Sequence, residues 1–464
     1  MKKNVYNLII FFLYPAFDFI AVSLAILSSY KLYRALRIGK QVQYAQPDII
    51  TISLLVAFAT VIIMLIIGGY KKVSSILNAE EIKNAVKGAS VTFMLFAVIA
   101  IFVKWAPSRY VLVSSYIMSL LFIVAERTIL YHILPSSTLL KGLYKRVLIY
   151  GAGELGQALY RSIVNSPKLG IVPVGFIDDN PERQGMVFYQ SGFNISNGVS
   201  VLGTGEIIRR LKEDLHIDEV YLAMSNIDHS TLVNILNYIK SENIKVSFVP
   251  NLYKIFVHKL KIEKIGQIPI VKEDDNFNHS YLRFKRYFDL LVAVVLFCFT
   301  WPLFAVIALA IKIDSKGPVF FKQKRVGKGG EVFQMCKFRS MFIDTDSYST
   351  KPIFCHDPRI TRVGRFLRKT SLDELPQLIN ALKGDMSLVG PRPEMPFIVA
   401  EYNEIHKERL KVSPGITGLW QLSGDRRKPI HENMDYDLYY IRNISFFLDV
   451  AVLIETLIFA FKGI

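Results

Sequence analysis

Apolar positions along the 464-residue chain follow three successive patterns. The first is a set of long uncharged runs in the first 135 residues: about Leu8–Tyr30, Ile49–Gly69, Ser90–Val103 with its flanks, and Val111–Ala125 continuing towards Ile133. Each approaches the ~20 residues that a helix needs to cross about 30 Å of hydrocarbon, so residues 1–135 predict four transmembrane helices. No small-residue cleavage site follows the first run, which argues against a signal peptide. Pro15 and Asp18 inside that run read as residues facing neighbouring helices.

From Arg146 the pattern changes to short apolar strands alternating with amphipathic helices. Val147–Tyr150, Val174–Ile177, Val220–Ala223 and Val246–Val249 are strand-like; Leu155–Ile163, Glu206–Leu215 and Thr231–Ile239 are helical. This alternation predicts a Rossmann-like α/β domain with a parallel sheet over 146–270. A third region, 281–464, opens on the apolar run Leu290–Ile311. Its flanks are basic at both ends, with Arg283, Lys285 and Arg286 before it and Lys312 and Lys316 after it. Pro302 divides it, and a twelve-residue half reaches only ~18 Å. The prediction is a re-entrant helix over about 288–312, broken at Pro302, that enters one leaflet and returns; a Pro-kinked true span is the rival reading. The closing run, 445–461, is interrupted by Asp449 and Glu455 and predicts an interfacial helix lying on the membrane.

Charge narrows the partners. The chain carries 56 Lys+Arg against 39 Asp+Glu, a net +17, yet it is 52% hydrophobic and only 20% charged. That excludes a disordered polycation, and the long apolar runs argue against a nucleic-acid binder. Lys and Arg at the span ends favour the side that holds the N-terminus as cytoplasmic. Four spans then leave everything after residue 135 on the cytoplasmic face. Cys298, Cys336 and Cys355 are too few and too scattered for a disulfide framework or a Cys-based zinc site.

Two regions offer chemistry. The first strand of the middle domain runs into Gly151-Ala-Gly153-Glu-Leu-Gly156, with Asp178 ending the next strand. Such glycines let backbone amides approach a pyrophosphate, and such an acid contacts a ribose. NAD or another nucleotide is the lesser expectation here, because the same glycines serve tight packing in modules that hold nothing. The second region is the C-terminal block. Residues 312–340 hold eight basic and two acidic side chains among loosening glycines, which suits lipid headgroups and phosphates. Arg359, Arg362, Arg365 and Arg368 follow at a spacing that shares one helical face. Then comes Ser371-Leu-Asp373-Glu374-Leu-Pro376. Ser371 and Glu374 match a capping box, but Pro376 would then delete a helix hydrogen bond. A helix starting at Asp373 tolerates Pro376 in its first turn and leaves Glu374 without a capping duty. Downstream, Gly390-Pro391-Arg392-Pro393-Glu394 presents Arg392 in a proline-braced turn. Pro414-Gly415-Ile-Thr-Gly418-Leu-Trp420-Gln421 offers an aromatic to a base or acyl chain. Arg forks bind phosphate oxygens bidentately, and a carboxylate can hold Mg²⁺ or attack phosphorus.

At these residues the chain, from about Tyr281 to its end, resembles the bacterial polyprenyl-phosphate sugar-1-phosphate transferases. Four ordered motifs carry the resemblance: Lys337-Phe-Arg339-Ser-Met, Ser371-Leu-Asp373-Glu374-Leu-Pro376-Gln377, Lys383-Gly-Asp385-Met-Ser-Leu-Val-Gly-Pro-Arg392-Pro, and Pro414-Gly-Ile-Thr-Gly-Leu-Trp420-Gln. The four spans and the Rossmann-like domain look like the large subclass that starts exopolysaccharide, capsule or O-antigen synthesis. The resemblance implies transfer of a hexose-1-phosphate, glucose or galactose, from a UDP-sugar to undecaprenyl phosphate at the bacterial cytoplasmic membrane, with release of UMP. It implies Asp373 as nucleophile and ligand of Mg²⁺, and Glu374 as base or metal partner. Arg368 and Arg392 would hold phosphates, supported by Lys337, Arg339 and Glu394. A homodimer is expected. The fold class expected is a membrane protein, α + α/β: four transmembrane helices, a Rossmann-like domain, and a mainly helical catalytic domain with the re-entrant helix. The rival enzyme is a membrane-bound, NAD-dependent nucleotide-sugar dehydratase; the non-enzymatic rival is a membrane scaffold or sensor.

Overall fold

A computed structural model describes residues 2–37, 46–70, 79–103, 108–133, 143–164, 169–189, 198–224, 227–249, 259–265, 268–274, 278–343, 357–423 and 434–461. The chain divides into two compact units, Met1–Phe256 and Val257–Ile464. Lys40, Lys71, Lys72, Lys104, Lys141, Cys355, Asp425, Arg426 and Arg427 lie outside the described residues.

In the first unit, α1 (Lys2–Leu36), α2 (Gln46–Ile67), α3 (Ala79–Phe102) and α4 (Arg109–Ile133) match the four apolar runs, and each is long and apolar enough to cross a membrane. Asp18 faces a neighbouring helix as expected: Arg127 of α4 donates to its carboxylate at 2.5 Å, over the ring of Tyr14. Both charges are buried, which their pairing makes tolerable in an apolar surround. Next come β1 (Lys145–Tyr150), α5 (Glu154–Val164), β2 (Ile171–Ile177), α6 (Ile208–Leu215), β3 (Glu219–Leu222), α7 (His229–Ser241) and β4 (Lys245–Phe248). Their strands form a parallel sheet in the order β2-β1-β3-β4. A strand order that places the first strand inside and reverses direction of winding is the doubly wound pattern that the alternation predicts.

The second unit starts with an antiparallel pair, β5 (Lys259–Ile265) and β6 (Ile268–Asp274), so this hairpin belongs with the C-terminal block. Then α8 (His279–Asp314) runs unbroken through Pro302. The proline interrupts the apolar stretch without ending the helix, unlike the expected helix–break–helix. Both ends of α8 nevertheless dock on the same body. Near its start Lys285 and Tyr281 reach Asp449 and Asp289 accepts from Ser387; near its end Ile307 and Ile311 pack with Phe338 and Leu367. The stretch between exposes Leu291, Phe299, Trp301, Val306 and Leu309.

Residues 312–340 are not the loose basic loop anticipated. Most form a hairpin, β7 (Phe320–Val326) against β8 (Val332–Phe338), in which Gln323 and Met335, paired across the strands, are buried on one face and Phe338 on the other. Helix α9 (Arg362–Thr370) follows, capped by Thr361 and ended by Ser371 in the left-handed region. Arg359 precedes it and is bound to Asp357, so only three of the four arginines share its face. A 3₁₀ turn carries Leu372–Glu374, and α10 (Gln377–Lys383) starts after Pro376 rather than at Asp373. The proline thus ends the turn instead of sitting within the helix. Short parallel strands β9 (Ser387–Val389) and β10 (Gly415–Thr417) pair closely, since a Cβ on Gly415 would stand 2.1 Å from the Gly390 nitrogen.

The chain ends on α11 (Leu419–Leu422), α12 (Met434–Asn443) and α13 (Phe446–Phe461). Helix α13 is not the surface helix expected from its pattern. Leu448, Asp449, Ala451 and Val452 are buried, and Asp449 takes hydrogen bonds from Tyr281 at 2.5 Å, Lys285 at 2.5 Å and Tyr440 at 2.7 Å. The acid that made the run look amphipathic is the anchor that docks it.

Candidate active site

The site is assembled by small residues and local caps. A Cβ on Gly364 would stand 2.0 Å from the Ser340 carbonyl oxygen, so α9 lies directly on the end of β8. That approach lets Arg368 donate its Nε to Ser340 Oγ at 2.9 Å. The Arg368 Nη atoms make no further hydrogen bond or ion pair among the described residues. Asn380, fully buried, donates to the Gln334 carbonyl and accepts from the Cys336 N–H, pinning α10 to β8. Lys337, the next residue of β8, therefore reaches Glu374 at 2.6 Å, and Arg392 reaches the same Oε1 at 2.8 Å.

The two adjacent carboxylates are shifted in opposite directions. Against the desolvation of burial, Arg392 and Lys337 hold the Glu374 carboxyl well below the usual carboxylate range. Burial pushes the Asp373 carboxyl up, Glu374 adds to this, and Lys337, Arg368 and Arg392 partly oppose it. Burial also lowers the Lys337 ammonium against the pull of Glu374. Among the described residues the Asp373 side chain makes no hydrogen bond or ion pair. One acid is a fixed counter-ion between two cations, while its neighbour is uncommitted and ringed by Arg368, Lys337 and Arg392. Chemically, such a carboxylate is open to react or to bind a cation, and the three cations beside it suit a polyanion.

Two predicted phosphate contacts fall elsewhere. Arg339 is buried and donates to the Lys316 carbonyl at 2.6 Å and to the Ser315 carbonyl and hydroxyl at 2.8 and 3.0 Å. Its guanidinium closes the end of α8 because the chain leaves the helix there with carbonyls to satisfy. Glu394 is buried, with its carboxylate 3.9 Å from Arg409. Trp420 is buried as well, on the helix that follows the Gly-Ile-Thr-Gly strand, rather than open to a base or acyl chain. Ser340, Asn380, Arg409 and Asp437 were not apparent as site-building residues, since each acts through contacts distant in sequence.

In the middle domain Gly151, Gly153 and Gly156 take the expected strand-to-helix turn, but that turn is filled by the protein itself. Asp178 accepts from the Ala152 N–H at 2.7 Å, the Asn180 N–H at 2.9 Å and Arg183 at 3.0 Å. It is a loop-closing acid rather than an open ribose contact. A Cβ on Gly156 would stand 1.8 Å from the Gly151 oxygen, and Gly153 lies under the Arg183 guanidinium. The glycines are accounted for by packing.

Residues 280–463 match the bacterial sugar transferase family, and residues 65–250 match a CoA-binding domain family. The UDP-glucose:undecaprenyl-phosphate glucose-1-phosphate transferases of Klebsiella pneumoniae and Escherichia coli K12 are 32% and 33% identical to this chain. Each alignment covers 69% of it and 68% of the relative. The chain belongs to the bacterial sugar transferase family. A third member, the undecaprenyl-phosphate galactose phosphotransferase of Salmonella typhimurium, is 30% identical over 79% of this chain and 78% of its own length. The Asp373–Glu374 pair lies inside the bacterial sugar transferase region, and the dehydratase alternative falls with that match.

Proposed function

We propose that this membrane protein transfers a hexose-1-phosphate from a UDP-sugar to undecaprenyl phosphate and releases UMP. The observation that carries the mechanism is the uncommitted Asp373 carboxylate among three cationic side chains. In the first half-reaction an Asp373 oxygen forms a bond to the sugar-linked phosphorus. The bond from that phosphorus to the bridging oxygen breaks, and UMP leaves with the oxygen and its electron pair. In the second half-reaction a phosphate oxygen of undecaprenyl phosphate attacks the same phosphorus and releases the Asp373 carboxylate, leaving the lipid diphosphosugar.

Arg368 presents free guanidinium nitrogens to the phosphates, and Lys337 and Arg392 neutralise the diphosphate. Glu374 already accepts from Lys337 and Arg392, which supports an anchoring role over that of a base. Among the described residues no three His, Cys, Asp or Glu side chains converge as a metal cage. Asp373 is the residue that would hold Mg²⁺, and the ion would supply neutralisation of charge developing on the diphosphate.

The polyprenol must be met at the bilayer edge. The basic flanks of α8, its apolar exposed middle and the docking of both its ends on one body support a helix that sets its middle into the cytoplasmic leaflet and bends at Pro302 without a break and without crossing. On this basis the catalytic unit faces the cytoplasm. Asp373→Asn in the full chain should abolish UMP release from UDP-glucose or UDP-galactose with undecaprenyl phosphate and Mg²⁺, while the thermal unfolding temperature in detergent does not fall. Full activity in that variant would remove Asp373 as nucleophile. A cysteine at residue 330 should label only from the cytoplasmic side; labelling from outside would sink the re-entrant arrangement.

A further inference from the structure

The loop that presents Arg392 is held in an unusual way. Pro391 and Pro393 have no N–H, so the loop cannot form a ladder of its own. Instead four consecutive carbonyls are each held from outside. The Pro391 oxygen accepts from the Gly415 N–H at 2.8 Å, and the Glu394 oxygen accepts from the Val326 N–H at 2.9 Å. Between them, the Arg392 oxygen accepts from Arg409 Nη2 at 2.6 Å and the Pro393 oxygen from Arg325 Nη1 at 3.1 Å.

Arg409 is itself fully committed. It is buried, its Nε donates to Asp437 at 2.8 Å, and its Nη1 donates to the Tyr402 hydroxyl. Asp437 is buried on α12 and Tyr402 is buried beside the loop. A planar fork with all three nitrogens engaged has one orientation, so it transmits that orientation to the carbonyl it grips. Arg325 is steadied in the same manner by Gln323, to which its Nε and Nη2 donate at 3.2 and 2.7 Å.

We propose that Arg409, oriented by Asp437 and Tyr402, and Arg325 are positioning residues that set the Arg392 guanidinium against Glu374 and hence the cation at the substrate diphosphate. Neither touches the reacting atoms. The proposal rests on the transferase reading for the identity of the ligand, and UDP is the probe.

The experiment titrates UDP by calorimetry against the full chain in detergent with Mg²⁺, and follows UMP release in the same preparations. Arg409→Lys keeps a charge for Asp437 but loses the fork. It should weaken UDP binding about tenfold, the scale of one charge-assisted hydrogen bond. Arg325→Gln, at a half-buried site and the fallback if Arg409→Lys does not fold, should weaken it about threefold. In an Arg392→Ala background neither substitution should weaken UDP binding further, because both act through Arg392. A merely structural role would lower thermal stability without producing that non-additivity.

Unchanged UDP affinity in the folded single variants, or equal losses with and without Arg392, would overturn the proposal. The expected binding pattern without UMP release from the wild type would uphold it and sink the transferase reading. UMP release with a flat binding pattern would do the reverse. A wild-type chain with no affinity for UDP would overturn both.

Discussion

Replacing Asp449 by asparagine tests how the C-terminal helix is held. Asp449 is fully buried on α13 and receives Tyr281, Lys285 and Tyr440, which brings together α8, α12 and α13. Asparagine keeps the volume and one acceptor but removes the negative charge nearest Lys285. The remaining carboxylate, Asp289, stands 3.6 Å from the ammonium and already accepts from Ser387. Removing one partner of a buried pair costs about 3–5 kcal/mol, and the retained Asp289 places this case near 3. For a unit of this size about 3 kcal/mol lowers Tm by roughly 6–12 °C. Scanning fluorimetry in detergent can follow Trp420, which lies on the helix next to this region. Adding Lys285→Met should recover only part of the loss, because the buried Asp289 then loses its nearest cation and keeps only its hydrogen bonds from Ser387 and the Leu388 N–H. A Tm within about 2 °C of wild type in Asp449→Asn would refute the view of α13 as a docked core helix.

Further outcomes follow from the site and the middle domain. Glu374→Gln leaves Lys337 and Arg392 as unneutralised neighbours and should cut UMP release by about 10–100-fold, the scale of one charge-assisted contact. The raised Asp373 carboxyl must lose its proton before attack, so UMP release should decline on acidification while pH is still above the ordinary carboxylate range. Glu374, held below that range, should add no limb of its own to the pH–rate profile. The same shifts act oppositely on stability, as a pH series of unfolding curves can check. The Glu374 contribution is present above the ordinary value and lost as pH falls through its lowered one, whereas that of Asp373 declines as pH rises through its raised one. Arg339→Ala should destabilise by about 2 kcal/mol through stranded carbonyls at the end of α8, with KM for the UDP-sugar unchanged. Gly156→Ala should destabilise the middle domain, since its Cβ would stand 1.8 Å from the Gly151 oxygen, while Gly153→Ala, at 3.4 Å from Arg183, should be tolerated.

Much was legible along the chain because it is local. Span length, the short apolar runs of the sheet strands and the strand-to-helix glycine turn depend on neighbours within a few residues, and they appear where the pattern puts them. The Asp373–Glu374 pair stood out for the same reason: Pro376 argues against a capping box, and Ser371 makes no side-chain cap bond, although the helix starts after Pro376 and not at Asp373. What the chain could not reveal is which long side chain meets which partner. Arg339 and Arg392 look alike in sequence, each in a basic motif. Only the folded chain sends one to the carbonyls of Ser315 and Lys316 and the other to Glu374. Asp449 reads as the polar face of a surface helix until Lys285, 164 residues away, supplies its counter-charge. Local pattern determines whether a segment is helix, strand or span. The burial of charge is decided by contacts between distant residues, because an ion is tolerated inside only where its partner arrives, and that is a property of the tertiary structure.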